Sequence, residues 1–222
     1  MRYPGGKGVT FRTLINQMPP HRIYIETHLG GGAVIRNKLP CVTNIGIDVD
    51  AAAIAKNSDL VPHVDLHTGD AVAVLKTCFV NEHTLIYADP PYLMETRKSG
   101  PLYKYEYSHT QHVELLYYLR SLPCMVMISG YYSSLYIQIL EGWRFITYQS
   151  MTRGGTSATE YLWMNYPEPL ELHDYRFLGA NFRERERITR KIKRWRSRIA
   201  KMDVLERRSL LFALKEEVRV EQ

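Results

Sequence analysis

The chain has 222 residues, room for one sizeable core and short for two independent catalytic domains. Hydrophobic residues make 45% and charged residues 23%, ordinary globular usage that excludes a disordered or fibrous chain. The formal charge of +6 is uneven: residues 183–208 carry 12 Lys or Arg against 4 Asp or Glu, a balance of +8, so the remainder sums to −2 and a basic coating over the whole chain is excluded.

The opening residues are turn-rich through Gly8, and Phe11, Leu14, Ile15 and Met18 then follow at helical spacing. Ile23 to Thr27 reads as a strand running into Leu29-Gly30-Gly31-Gly32, with Ala33 to Lys38 as the helix beyond. Thr43 to Ile47 is a second strand, ending at Asp48-Val49-Asp50 before the alanine-rich helix Ala51 to Lys56. Val64 to His67 precedes Gly69-Asp70 and a helix over Ala71 to Cys78; Thr84 to Ala88 precedes Asp89-Pro90-Pro91-Tyr92, whose prolines stop the strand. The alternation of strand and helix predicts an α/β domain.

Leu93 to Tyr107 has no stable periodicity and reads as a long connection of the kind that carries function. A helix over His109 to Leu122 and a strand over Met125 to Ser129 continue the alternation. Arg144 to Gln149 and Glu160 to Tyr166 are strand-like and flank Ser150 to Ser157, a hairpin loop rich in glycine and small polar residues. Beyond Pro167 and Pro169 one long basic helix is predicted over Arg183 to Leu211, with Ile188, Ile192, Trp195, Ile199 and Met202 on one stripe. The predicted organisation is a domain over 1–175 and a basic helical extension over 176–222.

Three dispersed cysteines, Cys41, Cys78 and Cys124, argue against a disulfide framework and offer no close pair for zinc. No apolar run is of membrane-spanning length and no signal-like block opens the chain, so a cytoplasmic location is expected. His109 and His112 have helix-face spacing without further ligands, and no metal is expected.

The glycine loop at a strand end lets a small ligand approach the backbone, although a tight turn also explains three glycines. Asp48 or Asp50 suits ribose hydroxyls and Asp70 an adenine amino group, with solvated turn aspartates as the plainer alternative. Asp89-Pro-Pro-Tyr92 is the sharpest signal. Its rigid turn offers the Asp89 carboxylate and the Pro90 carbonyl as acceptors for an amino group, with Tyr92 as an aromatic wall, a geometry suited to attack on an electrophilic methyl group.

Arg2-Tyr-Pro-Gly-Gly-Lys7, Glu26-Thr-His-Leu-Gly-Gly-Gly-Ala33 and Asp89-Pro-Pro-Tyr92 stand in the motif order of the Dam-like N6-adenine DNA methyltransferases, which the chain resembles over about residues 1–166. The resemblance implies a Rossmann-like S-adenosylmethionine methyltransferase fold with a seven-stranded mixed sheet flanked by helices. It implies cofactor contacts from Tyr3, Lys7, Glu26, Leu29, Gly30, Gly31, Gly32, Asp48 and Asp70, and a target-adenine pocket of Asp89, Pro90 and Tyr92. S-adenosyl-L-methionine is the implied cofactor. DNA is the implied partner, duplex before single-stranded, with an RNA adenine-N6 or cytosine-N4 methyltransferase or a noncatalytic nucleic-acid-binding module as alternatives; Asp rather than Ser at position 89 leans toward adenine.

Two departures stand out: Thr27-His28 replaces the family's usual Pro-Phe, and only 18 residues separate Asp70 from Asp89, where longer members carry a recognition insertion. Recognition then falls to Leu93–Tyr107 and Ser150–Ser157. Arg97, Lys98, Lys104 and Arg153 in those loops, with Arg190 and Arg194 in the tail, are the expected nucleic-acid contacts. A monomer or a weak homodimer is expected, since the tail stripe covers only about two heptads.

Overall fold

A computed structural model describes residues 7–97, 100–151 and 155–220; Tyr3, Lys98 and Arg153 lie outside the described residues. The strands are β1 (Ile23–Glu26), β2 (Thr43–Asp48), β3 (Asp65–Thr68), β4 (Thr84–Ala88), β5 (Met125–Gly130), β6 (Arg144–Met151) and β7 (Ser157–Met164). They form one sheet in the order β3-β2-β1-β4-β5-β7-β6. Pairing is parallel from β3 through β5, whereas β7 runs antiparallel to both β5 and β6. This is the expected Rossmann-like seven-stranded mixed sheet, and its parallel core places the ends of β1 to β5 along one edge.

The helices are α1 (Phe11–Ile15), α2 (Ala33–Asn37), α3 (Ala51–Lys56), α4 (Ala71–Leu75), α5 (His109–Ser121), α6 (Ser134–Ile139), α7 (Phe182–Ala200) and α8 (Val204–Val220). Period-two alternation divides the core between the sheet's faces. Ile25, Ile86 and Ile128 pack with α4, α5 and α6 on one face, and Tyr24, Tyr87 and Met127 with α1 and α2 on the other. β4 is buried at every residue, as a central strand covered on both faces must be.

Most elements fall within a few residues of their predicted spans. α6, which the sequence reading missed, starts at Ser133, whose hydroxyl accepts the Tyr136 N–H at 3.2 Å. β7 begins three residues before its predicted start because Ser157, Ala158 and Thr159 pair with Met151, Ser150 and Gln149.

The chain divides into two compact units, Met1–Phe177 and Leu178–Gln222. In the second, the single long helix predicted over Arg183 to Leu211 is corrected to two. The break falls at residues 201–203, where the Asp203 side chain accepts the Leu205 N–H at 2.8 Å and starts α8; aspartate competes for backbone N–H groups and so favours helix starts over interiors. Of the predicted stripe, Ile188, Ile192, Trp195 and Ile199 lie on α7 and Met202 falls in the break; it is not packed away, with Ile192 45% exposed and Trp195 48%. Among the described residues no helix is long and apolar enough to cross a membrane.

Candidate active site

The edge where β1, β2 and β4 end holds the glycine loop, the buried Glu26 and Asp48, and the part-buried Asp89. Leu29 donates its N–H to the Ile47 carbonyl at 2.8 Å, docking the loop on β2. Asp48 accepts the Gly30 N–H at 2.7 Å and the Asp50 N–H at 2.8 Å, so its carboxylate braces the loop from below. Asn57, which the sequence reading passed over, closes the other side: its Nδ2 donates to the Gly30 carbonyl at 2.9 Å and its Oδ1 accepts from Arg36. An asparagine directly after an alanine-rich helix was the available signal, and its burial is visible only in the structure.

Gly32 sits at φ +64, and a Cβ there would lie 2.6 Å from Asn57 Oδ1. Since Asn57 is committed on both its polar atoms, it has no room to give. Gly32→Ala should therefore cost about 2 kcal/mol of stability, the left-handed penalty plus the clash, measurable by urea unfolding; an unchanged midpoint would contradict the assignment.

Glu26 ends β1 with its carboxylate buried, Oε2 accepting the Tyr24 hydroxyl at 3.1 Å and the Ile35 N–H at 2.9 Å. The second contact satisfies a first-turn N–H of α2 and ties the helix start to the strand end. Burial pushes the Glu26 carboxyl from about 4.5 up to about 8, against the pull of these two donors. The folded chain thus holds this proton more tightly than the unfolded chain, so the contribution is complete below pH 4.5 and is lost as pH rises toward 8. Wild type should lose stability relative to Glu26→Gln between pH 5 and 8; a gap that stays constant in urea titrations across that range would refute it.

Asp70 caps α4 through the Ala73 N–H at 2.9 Å and remains exposed, open to a ligand at the same edge. Gly31 is likewise exposed. His28, the departure from the resembling motif, bonds Thr27 Oγ1 through Nδ1 at 2.8 Å and meets Tyr107 edge-on. Burial pulls the His28 imidazole down to about 3, leaving it neutral.

Beyond β4 the Asp89-Pro-Pro-Tyr92 turn meets Lys7. The Lys7 ammonium donates to Asp89 Oδ1 at 2.8 Å and to the Tyr92 hydroxyl at 2.8 Å, and lies 3.4 Å from Glu160 Oε2. Tyr92 and Tyr148 both donate to that same oxygen of Glu160, at 2.7 and 2.8 Å. Pro90 is buried in the turn, and Tyr131 meets the buried Tyr92 ring edge-on at 4.6 Å.

The electrostatics follow from this packing. Burial raises the Asp89 carboxyl and Lys7 opposes it. Burial works against the Lys7 ammonium too, but Asp89 and Glu160 carry its pKa well above the ordinary value. Burial would raise the Glu160 carboxyl, but Lys7 and the hydroxyls of Ser150, Tyr92 and Tyr148 outweigh it and hold the group below the usual carboxylate range. The cluster holds two carboxylates and one ammonium.

Several expected nucleic-acid contacts are committed elsewhere. Arg97 is a correction: its side chain is 3% exposed, Nε donates to the Tyr92 carbonyl at 2.5 Å, and both terminal nitrogens are paired with Glu106 at 2.9 and 2.7 Å. It is a strut for the pocket turn, hidden from phosphates. Lys104 is exposed but bonded to Asp50 at 3.0 Å, reaching back over the end of β2. In the second unit Arg190 and Arg194 are exposed on α7, and Arg190 lies 3.2 Å from Glu186. Among the described residues no group of three His, Cys, Asp or Glu side chains is placed to hold a metal ion.

No protein-family model and no curated protein sequence matches the chain. Among solved structures, its backbone is similar to that of a precorrin 8W decarboxylase from Methanobacterium thermoautotrophicum, at 15% identity over 74% of this chain and 94% of that one, TM-score 0.48. It is also similar to an rRNA methylase from Streptococcus thermophilus, at 16% identity over 70% and 94%, TM-score 0.46, and to a dimethyladenosine transferase from Plasmodium falciparum, at 14% identity over 74% and 63%, TM-score 0.48. The strand order itself, with β7 antiparallel between β5 and β6, gives the chain the Rossmann-like fold of S-adenosylmethionine-dependent methyltransferases.

Proposed function

We propose that the chain is an S-adenosylmethionine-dependent methyltransferase acting on the N6 amino group of adenine in DNA. The observation that carries this reading is the Asp89 carboxylate held by Lys7 at the mouth of a proline-fixed turn, beside the buried Tyr92.

The edge of the sheet suits the cofactor by its donor set. Asp48, Asp50 and Asp70 gather acceptors around an exposed glycine, matching a ligand that carries ribose hydroxyls and an adenine amino group, with Glu26 buried at the end of β1 beside them. Glu26 and the glycine loop would lie toward its methionine portion, Asp50 or Asp48 toward the ribose, and Asp70 toward its adenine. Asp50 is the more open of the two, since its donors, the Ala52 N–H and Lys104, share Oδ1, whereas both oxygens of the buried Asp48 are taken by backbone N–H groups. When bound, the cofactor supplies an electrophilic methyl group, whose bond electrons leave with the sulfur.

The chain's own residues do the rest. Asp89 and the Pro90 carbonyl accept the two N6 hydrogens and so aim the nitrogen lone pair, and Tyr92 walls the base. As N6 takes on positive charge, the adjacent carboxylate stabilises it and receives or passes on the departing proton. In the tail, α7 carries nine Lys or Arg against two Glu, and Arg190 and Arg194 contribute salt-sensitive phosphate attraction.

RNA is the second reading, favoured by one observation: residues 71–83 hold α4 and a short connection, without an element there to read a duplex. An unpaired base avoids the cost of leaving a stack. Incubation with methyl-labelled S-adenosylmethionine and duplex DNA, single-stranded DNA or RNA, followed by mass spectrometry of the nucleosides, tests both readings. N6-methyladenine in DNA supports the first, RNA-only labelling selects the second, and labelled cytosine overturns the base assignment.

A further inference from the structure

We propose that Glu160 is a positioning residue for this reaction: acting through Tyr92 and Lys7, its carboxylate fixes the aromatic wall and keeps the Asp89 pocket negatively charged. The inference rests on the methyltransferase reading and extends it to a residue 71 positions beyond Asp89 in the chain.

Glu160 shares one face of β7 with Leu162 and Met164, both fully buried. A carboxylate on that apolar face loses its hydration, which only good partners offset. Three of them meet on one oxygen, Tyr92 at 2.7 Å, Tyr148 at 2.8 Å from the directly opposed position of β6, and Lys7 at 3.4 Å, and the Ser150 hydroxyl adds a further hydrogen bond. Tyr148 is steadied in turn by Ser129 at 3.3 Å, and Ser129 by Tyr87 at 3.0 Å. The chain of hydroxyls converges on Glu160 from three strands and the pocket turn.

Two consequences bear on the reaction. The Tyr92 hydroxyl accepts from Lys7 and donates to Glu160, so it is held from both sides and the ring tilt is set. The charges also fail to cancel. Asp89 and Glu160 against Lys7 leave one net negative charge in a site shielded from water, where it acts at close range on the positive charge that N6 acquires as it bonds to carbon. A buried ion pair serving only stability would gain little over apolar packing, which leaves the pocket as the better account of this carboxylate.

The test compares wild type with Glu160→Gln, which keeps the shape and removes the charge. We expect kcat to fall about tenfold to a hundredfold, the scale of a charged hydrogen-bond partner, with S-adenosylmethionine affinity within about twofold by calorimetry. The acid limb of kcat/KM should move to lower pH, because a like charge is removed from beside Asp89. The other groups facing that carboxylate stay in place: Lys7, Tyr92, Tyr87 and Tyr148, with Glu26, Tyr103 and Tyr136 farther out.

Tyr92→Phe breaks the same link while keeping the ring. The double variant should be within about twofold of Glu160→Gln, since that change already acts on the Tyr92 link as well as removing the charge. Additive losses, an unmoved acid limb or a Glu160→Gln enzyme with wild-type kcat overturn the inference. Should Glu160→Gln fail to fold, Tyr92→Phe decides: a wild-type kcat in that variant also overturns it. A wild-type chain that labels no nucleic acid overturns the functional reading and this one together, whereas an active wild type with an unimpaired Glu160→Gln overturns this one alone.

Discussion

Asp89→Ala should abolish methyl transfer, with a loss of about a thousandfold or more, while S-adenosylmethionine still binds with near-normal affinity. In the proposed reaction this carboxylate holds the amino hydrogens, so its removal would take away both orientation and charge stabilisation at the nitrogen. The fold should tolerate the change, because Lys7 keeps Glu160 at 3.4 Å and the Tyr92 hydroxyl at 2.8 Å. Single-turnover transfer from methyl-labelled cofactor, set beside calorimetric cofactor binding, separates the two effects. Near-normal methylation by the folded variant would remove Asp89 from the reaction.

Lys7→Met should be more damaging, since it costs stability as well as activity. Lys7 is 5% exposed and lies between Asp89 and Glu160; without it two largely buried carboxylates face each other with no positive charge between them. Breaking a buried pair from one side costs about 3–5 kcal/mol. Protonation relieves the strain. With the ammonium gone, both carboxyls have folded-state pKa values raised above their unfolded ones, so the penalty is largest at neutral pH and shrinks as pH falls toward the ordinary carboxylate range. Urea unfolding of both proteins between pH 5 and 8 should show the gap narrowing on the acid side. A gap independent of pH would mean that Lys7 contributes packing alone.

The legible part of the site was the part built from contiguous residues. Asp89, Pro90 and Tyr92 lie in one turn whose two prolines fix its course, and the glycine loop follows β1 directly. The cations were read less well. Arg97 and Lys104 stand in a tyrosine-rich connection where a positive charge suggests phosphate, yet Arg97 is taken up by Glu106 nine residues on and Lys104 by Asp50 across the sheet edge. Charge in a sequence marks a need for a partner without saying which. Asp48 shows the same limit, for a strand-end carboxylate serves a ribose or a backbone N–H equally well, and here it holds Gly30.

Glu160, Tyr148 and Ser129 carried no site signal, although Glu160 breaks an otherwise apolar face of β7. Alternation along a strand tells which side a residue occupies but not which strand lies beside it.

From the sequence alone came the uneven charge, the order of strands and helices along the chain, and the turn chemistry after β1 and β4, because periodicity, glycine freedom and proline sterics act over a few residues. Only the tertiary structure placed β7 antiparallel between β5 and β6, carried Glu160 to Tyr92 and joined both to Lys7. Those meetings depend on how whole faces bury against each other and on which buried charge finds compensation, and such long-range balances are written in no local stretch of the chain.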